Sequence, residues 1–178
     1  MSQITRPADA GFLKPNGIAA AGRYHGQIIR AGRVIDEWEE PNLVVNEGLN
    51  ALLDIMFHGS TQITTWYMGV FEGNYTPVAT VTAATIASAS TECTAYASAT
   101  RPEYVEAAAS SQSITNSANR ASFVFNATKT IYGAFLVSTS TKSGTSGTLF
   151  SAARFSTSKS VENLDELLLT YTFTASSV

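Results

Sequence analysis

Cysteine is almost missing from this 178-residue chain: Cys93 stands alone. A disulfide framework needs pairs, so none forms within the chain, and a lone cysteine reads as a small buried hydrophobe. Histidine is nearly as scarce, with His25 and His58 far from each other and from Cys93. That spacing matches neither a zinc site nor a nucleophilic triad. Charge is thin as well. Only 14% of residues are Asp, Glu, Lys or Arg and the net charge is −3, against roughly 25% charged in an average soluble domain. The 11 Lys and Arg residues are scattered rather than interleaved with aromatics, which argues against nucleic acid as a direct partner. No stretch approaches the ~20 apolar residues that cross a bilayer, and Met1 to Ala10 lacks the apolar centre of a signal peptide. The expectation is a chain made in the cytoplasm and not held in a membrane. A phosphate-cradling loop is missing too: Gly144 to Gly147 is followed by neither the lysine nor the helix it requires.

What the chain does carry is hydroxyl and methyl. Ser and Thr make up roughly a quarter of it, Ala is abundant, and 44% of residues are hydrophobic. A surface with so little charge to desolvate suits close contact with other protein. The length suits one domain with an extended appendage, and a core can be buried without disulfides. The expected division is an extended N-terminal arm over residues 1–21 and a β-sandwich domain over 22–178.

The arm has no hydrophobic period and is broken by Pro7, Gly11, Pro15 and Gly17. It is either a disordered tail or a segment that orders on a neighbouring subunit, with Phe12, Leu13 and Ile18 as anchors. Arg23 to Arg30 and Arg33 to Glu40 read as a hairpin closed at Ala31-Gly32, with Gly32 supplying a positive φ. The second strand carries Asp36, Glu37, Glu39 and Glu40. Alternation sends successive side chains to opposite faces, and the spacing fits no calcium loop. A solvated edge that discourages wrong strand pairing accounts for the acids.

Pro41 to Gly59 holds the chain's clearest helical period, and the helix is expected over residues 46–58. Leu49, Leu52, Leu53, Met56 and Phe57 fall at i, i+3, i+4, i+7 and i+8, one apolar stripe. Asn46 suits the N-cap, Glu47 the positive end of the helix dipole, and Gly59 a left-handed residue past the C-terminus. The stripe is expected to lie against a sheet, making the helix a plug.

The rest of the chain reads as β. Thr64 to Phe71 alternates and ends at Glu72-Gly73-Asn74. Pro77 to Ala99, poor in complexity, is expected as a long loop, with one short helix around Ser88 to Tyr96 as the alternative. Short strands follow at Tyr104 to Ala107 and Ser122 to Asn126, with a polar turn at Asn116 to Arg120. Thr130 to Ser138 is nearly continuous apolar, as a central strand buried on both faces would be. Ser138 to Gly147 forms a flexible hydroxyl-rich hairpin tip. Thr148 to Phe155 and Leu167 to Ala175 close the chain. Such spacing gives a mainly β fold: an antiparallel β-sandwich, jelly-roll-like or immunoglobulin-like, with one packed α-helix. Trp38 and Trp66 are expected in its core.

No catalytic constellation emerges. His58 is explained by the helix dipole, and acids are sparse after the helix, so an enzyme is not expected, and neither is a cofactor or a metal. The runs NLVVNEGLNALLDIMF (Asn42 to Phe57), Trp66 to Phe71, TAYASATRPEYVEAA (Thr94 to Ala108) and TIYGAFLVSTSTKSGTSGTLFSAARF (Thr130 to Phe155) resemble structural proteins of tailed bacteriophages. Capsid decoration (cement) or minor capsid proteins are the nearest group in size and β character. The resemblance implies a subunit on the outside of the virion capsid, often a homotrimer, that bridges neighbouring capsomers of the major capsid protein. It transfers no catalytic residues. A tail, collar or fibre-associated subunit is the alternative the same resemblance allows; there the Ser138 to Gly147 tip would face a host surface or saccharide.

Overall fold

Alternation along the last strand ties the two layers together. β10 (Glu166–Ser177) turns Leu167, Leu169 and Tyr171 inward, all essentially buried. In the computed structural model, which describes residues 17–177, β10 lies at the centre of one antiparallel sheet. On one side it pairs with β1 (Ile18–Arg30), which pairs in turn with the edge strand β2 (Arg33–Pro41). On its other side β10 takes two short strands end to end, β6 (Ser113–Thr115) and β7 (Ala121–Val124). The second sheet runs β3 (Leu43–Val44), β9 (Leu149–Val161), β8 (Lys129–Val137), β4 (Trp66–Phe71), β5 (Glu103–Tyr104). The protein is thus mainly β, a sandwich of two packed antiparallel sheets with a helix, α1 (Asn46–Phe57), at one flank. Between the sheets sits the main core, including Tyr24, Ile28, Met68, Phe123, Phe125, Leu136 and Phe155. Trp38 and Trp66, half-buried, pack against it.

The apolar run of β8 is explained by cover on both faces. Ile131, Ala134 and Leu136 face the other sheet. Phe135 and Val137 point outward into a second cluster with Val81, Ala83 and Ile86. That cover comes from a short helix, α2 (Ala83–Ala89), inside the segment expected to be a loop. The helix begins five residues before the alternative position at Ser88. Thr82 and Thr85 form a capping box, and burial of Ala83, Ile86 and Ala87 fixes the rest. Cys93 is fully buried, as expected, and its amide bonds to the Val70 carbonyl.

Three other local expectations change. Ile18 to Ala21, placed in the arm, form the first residues of β1 and pair with Thr174 to Ser177. Phe12 and Leu13 lie outside the described residues. The polar turn at Asn116 to Arg120 carries a structural duty: Asn116 is fully buried where neither β6 nor β7 reaches β10. Its amide donates to the Leu169 carbonyl and accepts from the Tyr171 N–H, so one side chain replaces the missing ladder.

The hydroxyl-rich tip, read as flexible, is pinned. Arg101 reaches beneath it and grips Glu92 with two hydrogen bonds, of 2.8 and 2.7 Å. The same guanidinium donates to the Thr139 carbonyl, and Glu92 accepts from the Ser143 amide. Lys142 folds down onto the Tyr96 ring, 3.6 Å from its centroid. Hydroxyl-rich composition describes the outside of this loop, whereas a salt bridge beneath it sets its conformation.

Candidate functional site

The first turn of α1 is held by backbone and by one carboxylate. Val45, buried, donates its N–H to Phe150, and Asn46 donates its own to Ala79. With those amides taken, Val45 rather than Asn46 stands at the N-cap and no side chain caps the helix. Glu47 turns away from its own helix: its Oε2 accepts from the Ala83 amide at the start of α2 (2.8 Å) and from Leu149 at the start of β9 (2.7 Å). It therefore clamps three elements together. Gly48 is the buried residue of α1, and a Cβ there would meet the Phe150 carbonyl oxygen at 2.5 Å. Glycine is what lets the helix approach the β9 backbone this closely.

This contact settles which face of α1 meets the sandwich, and it is not the predicted stripe. With ~100° between successive residues, Leu49, Leu53 and Met56 lie about a third of a turn round from Gly48, and Phe57 lies opposite it. All five stripe residues are exposed, rising to 68% for Met56 and 81% for Phe57 at the free end. The expected plug is corrected: α1 packs through Gly48, with Ala51 and Ile55 half-buried and Leu52 at the groove's rim, and shows Leu49 and Leu53 to solvent. Gly59 follows with φ +74°, as a left-handed residue past the helix end.

Between α1 and the sandwich runs an apolar groove of about 260 Å³. Leu52, Ile55, Ile63, Trp66, Phe150 and Phe173 form much of its wall. Tyr104 and Tyr171 contribute rings from the core side. Burial pushes the Tyr171 phenol up to about 12 and that of Tyr104 higher still, so both stay neutral at physiological pH. Among the described residues Glu106, exposed, is the only charged one of the lining. Apolar side chains make up most of the groove's wall.

The ion pairs lie elsewhere. Asp36 pairs with Lys159, Glu39 with Arg23, and Glu37 accepts from Gln27 and contacts His25. The acids line the exposed edge strand β2, where the alternation placed them. Arg30 binds Asp165 through two hydrogen bonds, 2.8 and 2.7 Å, beside a shallow cavity at the β1–β2 turn. Its pairing holds the Asp165 carboxyl below the usual carboxylate range. Among the described residues no three of His, Cys, Asp or Glu gather as metal ligands, and no helix is long and apolar enough to cross a membrane.

Of the anchor residues predicted from sequence, Ile18 is described: it opens β1, is 81% exposed, and does not line the groove. Sequence reasoning missed the groove, although a glycine between Glu47 and Leu49 in a strong helical period was its signal. No protein-family model and no curated protein matches this chain.

Proposed function

We propose that this protein is a structural subunit of a tailed-bacteriophage virion, a capsid decoration or minor capsid protein that binds the outer shell and bridges capsomers. The observation that carries this reading is an apolar helix face turned to solvent on a sandwich otherwise poor in charge. A chain that exposes Leu53, Met56 and Phe57 has adhesion as its simplest use. The resemblance of Asn42 to Phe57 and of Thr130 to Phe155 to phage structural proteins supplies the setting. Partners in this reading are the major capsid protein and further copies of the chain, with a homotrimer as the working unit. Stabilisation would come from mass action: a subunit that binds the assembled shell and not its dissociated parts adds RT ln(1 + [L]/Kd) per site. Closed symmetry multiplies modest contacts into avidity.

Imaging phage particles with the protein labelled tests the reading. Decoration predicts hundreds of copies spread over the head. A few dozen copies at one vertex or on the tail would move the protein to the tail or collar, and absence from particles would end the virion assignment.

A further inference from the structure

We infer that α1 is a self-association element: Phe57 of one copy seats in the apolar groove between α1 and the sandwich of a second copy. Knob and hole are both on this chain, yet one copy cannot join them. Phe57 projects from the side of α1 opposite Gly48, whereas the groove opens on the Gly48 side, about half a turn away. The groove, at about 260 Å³, exceeds the ~150 Å³ in which an apolar cavity accepts benzene, so an aromatic ring fits.

Three features favour a second copy over an unrelated partner. The stripe Leu49, Leu52, Leu53, Met56 and Phe57 carries no charge, so two copies meet there without like charges opposed. Its 3–4 spacing is the one that helices use to interdigitate. Its exposures, applied to side chains of roughly 150–250 Å², leave on the order of 500 Å² of apolar surface, most of the ~800 Å² per partner in a stable interface. The sheet edges offer no comparable route: β3, β5, β6 and β7 are two to four residues long, and β2 is lined with acids. Because each copy both gives a ring and receives one, a two-fold pair or a small ring satisfies every copy.

The inference rests on the proposed function only for the premise that copies act together; the capsid is not required. Sedimentation equilibrium of the full chain tests it, with Phe57→Ala removing the knob and Ala51→Phe filling the hole. Phe57 is so exposed that its truncation should leave the melting temperature unchanged at concentrations low enough for the wild type to be dissociated. The wild type should associate in the micromolar range, and Phe57→Ala should raise the dissociation constant roughly 30-fold or more, as truncating a central interface anchor does. Each variant alone should sediment as a monomer, while their mixture yields pairs, since one supplies the ring and the other the groove. Circular dichroism of Ala51→Phe guards against simple misfolding, and the Phe57→Ala result stands if that variant fails. A wild type that stays monomeric at millimolar concentration overturns the inference. So does a Phe57→Ala protein that associates as tightly as wild type. Loss of particle binding with self-association intact would assign the face to a shell protein instead and leave the virion reading standing. The expected self-association in a protein absent from virions would sink that reading and keep this one.

Discussion

Replacing Arg101 with methionine should be among the most damaging single changes this fold can suffer. The Arg101 and Glu92 side chains are 0% and 1% exposed, so the pair is wholly withdrawn from water. Methionine preserves most of the aliphatic packing over Phe135, whose ring centre lies 5.2 Å from the guanidinium carbon. It removes both bonds to Glu92 and the 3.0 Å bond to the Thr139 carbonyl. Glu92 would then stay buried with the Ser143 amide as its remaining donor from the tip. Breaking one side of a buried pair costs about 3–5 kcal/mol because the orphaned charge has no water to return to. For a chain of this length each kcal/mol lowers Tm by roughly 2–4 °C, so calorimetry should register a drop of about 10 °C. Limited proteolysis should also cut within Ser138 to Gly147 sooner, since the tip loses its anchor. The double variant Glu92→Leu/Arg101→Met removes the orphaned charge and should recover most of the loss. A single variant that melts within 2 °C of wild type, or a double variant as unstable as the sum of its parts, would refute the argument from desolvation.

Gly48→Ala should cost about 1–3 kcal/mol, as overpacking does. The new Cβ meets backbone of Phe150 at 2.5 and 2.7 Å, which cannot rotate away; a shift in Trp66 fluorescence would report displacement of α1. Stability should fall in acid through Asp165. Arg30 lowers its folded pKa, so the contribution is complete above the ordinary carboxylate value near 4 and drains as pH falls toward the lowered one; Asp165→Asn should flatten that limb of a pH–Tm curve. Burial raises the Cys93 thiol, so a thiol reagent should label it only as fast as the protein opens. Labelling of the native protein at the rate of a free thiol would place Cys93 wrongly.

What the sequence disclosed and what it hid divide along the range of the forces involved. The β1–β2 hairpin was legible because its turn is local: Ala31 and Gly32 adopt φ +48° and +75°, and Gly32 adopts its value without strain. β8 was legible because cover on both faces leaves an unbroken apolar run. β6 escaped notice because three residues of Ser, Ile and Thr carry no periodic signal of their own. Asn116 looked like turn chemistry because its partners, Leu169 and Tyr171, are more than 50 residues away. The Glu92–Arg101 pair was equally hidden: nine residues separate its members, in a stretch whose composition suggested only a solvated loop. Phe12 and Leu13 fall outside the described residues, whereas Ile18, grouped with them as an arm anchor, is a strand residue.

The helix carries the lesson about function. Hydrophobic period reports which side chains share a face, and it is silent on what that face meets. The inference that the leucine stripe of α1 plugs the sandwich treated the chain as the whole of its own environment. Gly48 contradicts this, because only a residue without a side chain allows the helix to lie against the Phe150 backbone, and most of the stripe lies a third to half a turn away from it. Once that contact and the Glu47 clamp fix the rotation of α1, Leu53, Met56 and Phe57 cannot turn inward without breaking both. An amphipathic helix locked with part of its apolar arc outward leaves that surface unburied by the described residues. In the reading proposed above a second copy covers the stripe, and the groove beside it gives the shape of what fits.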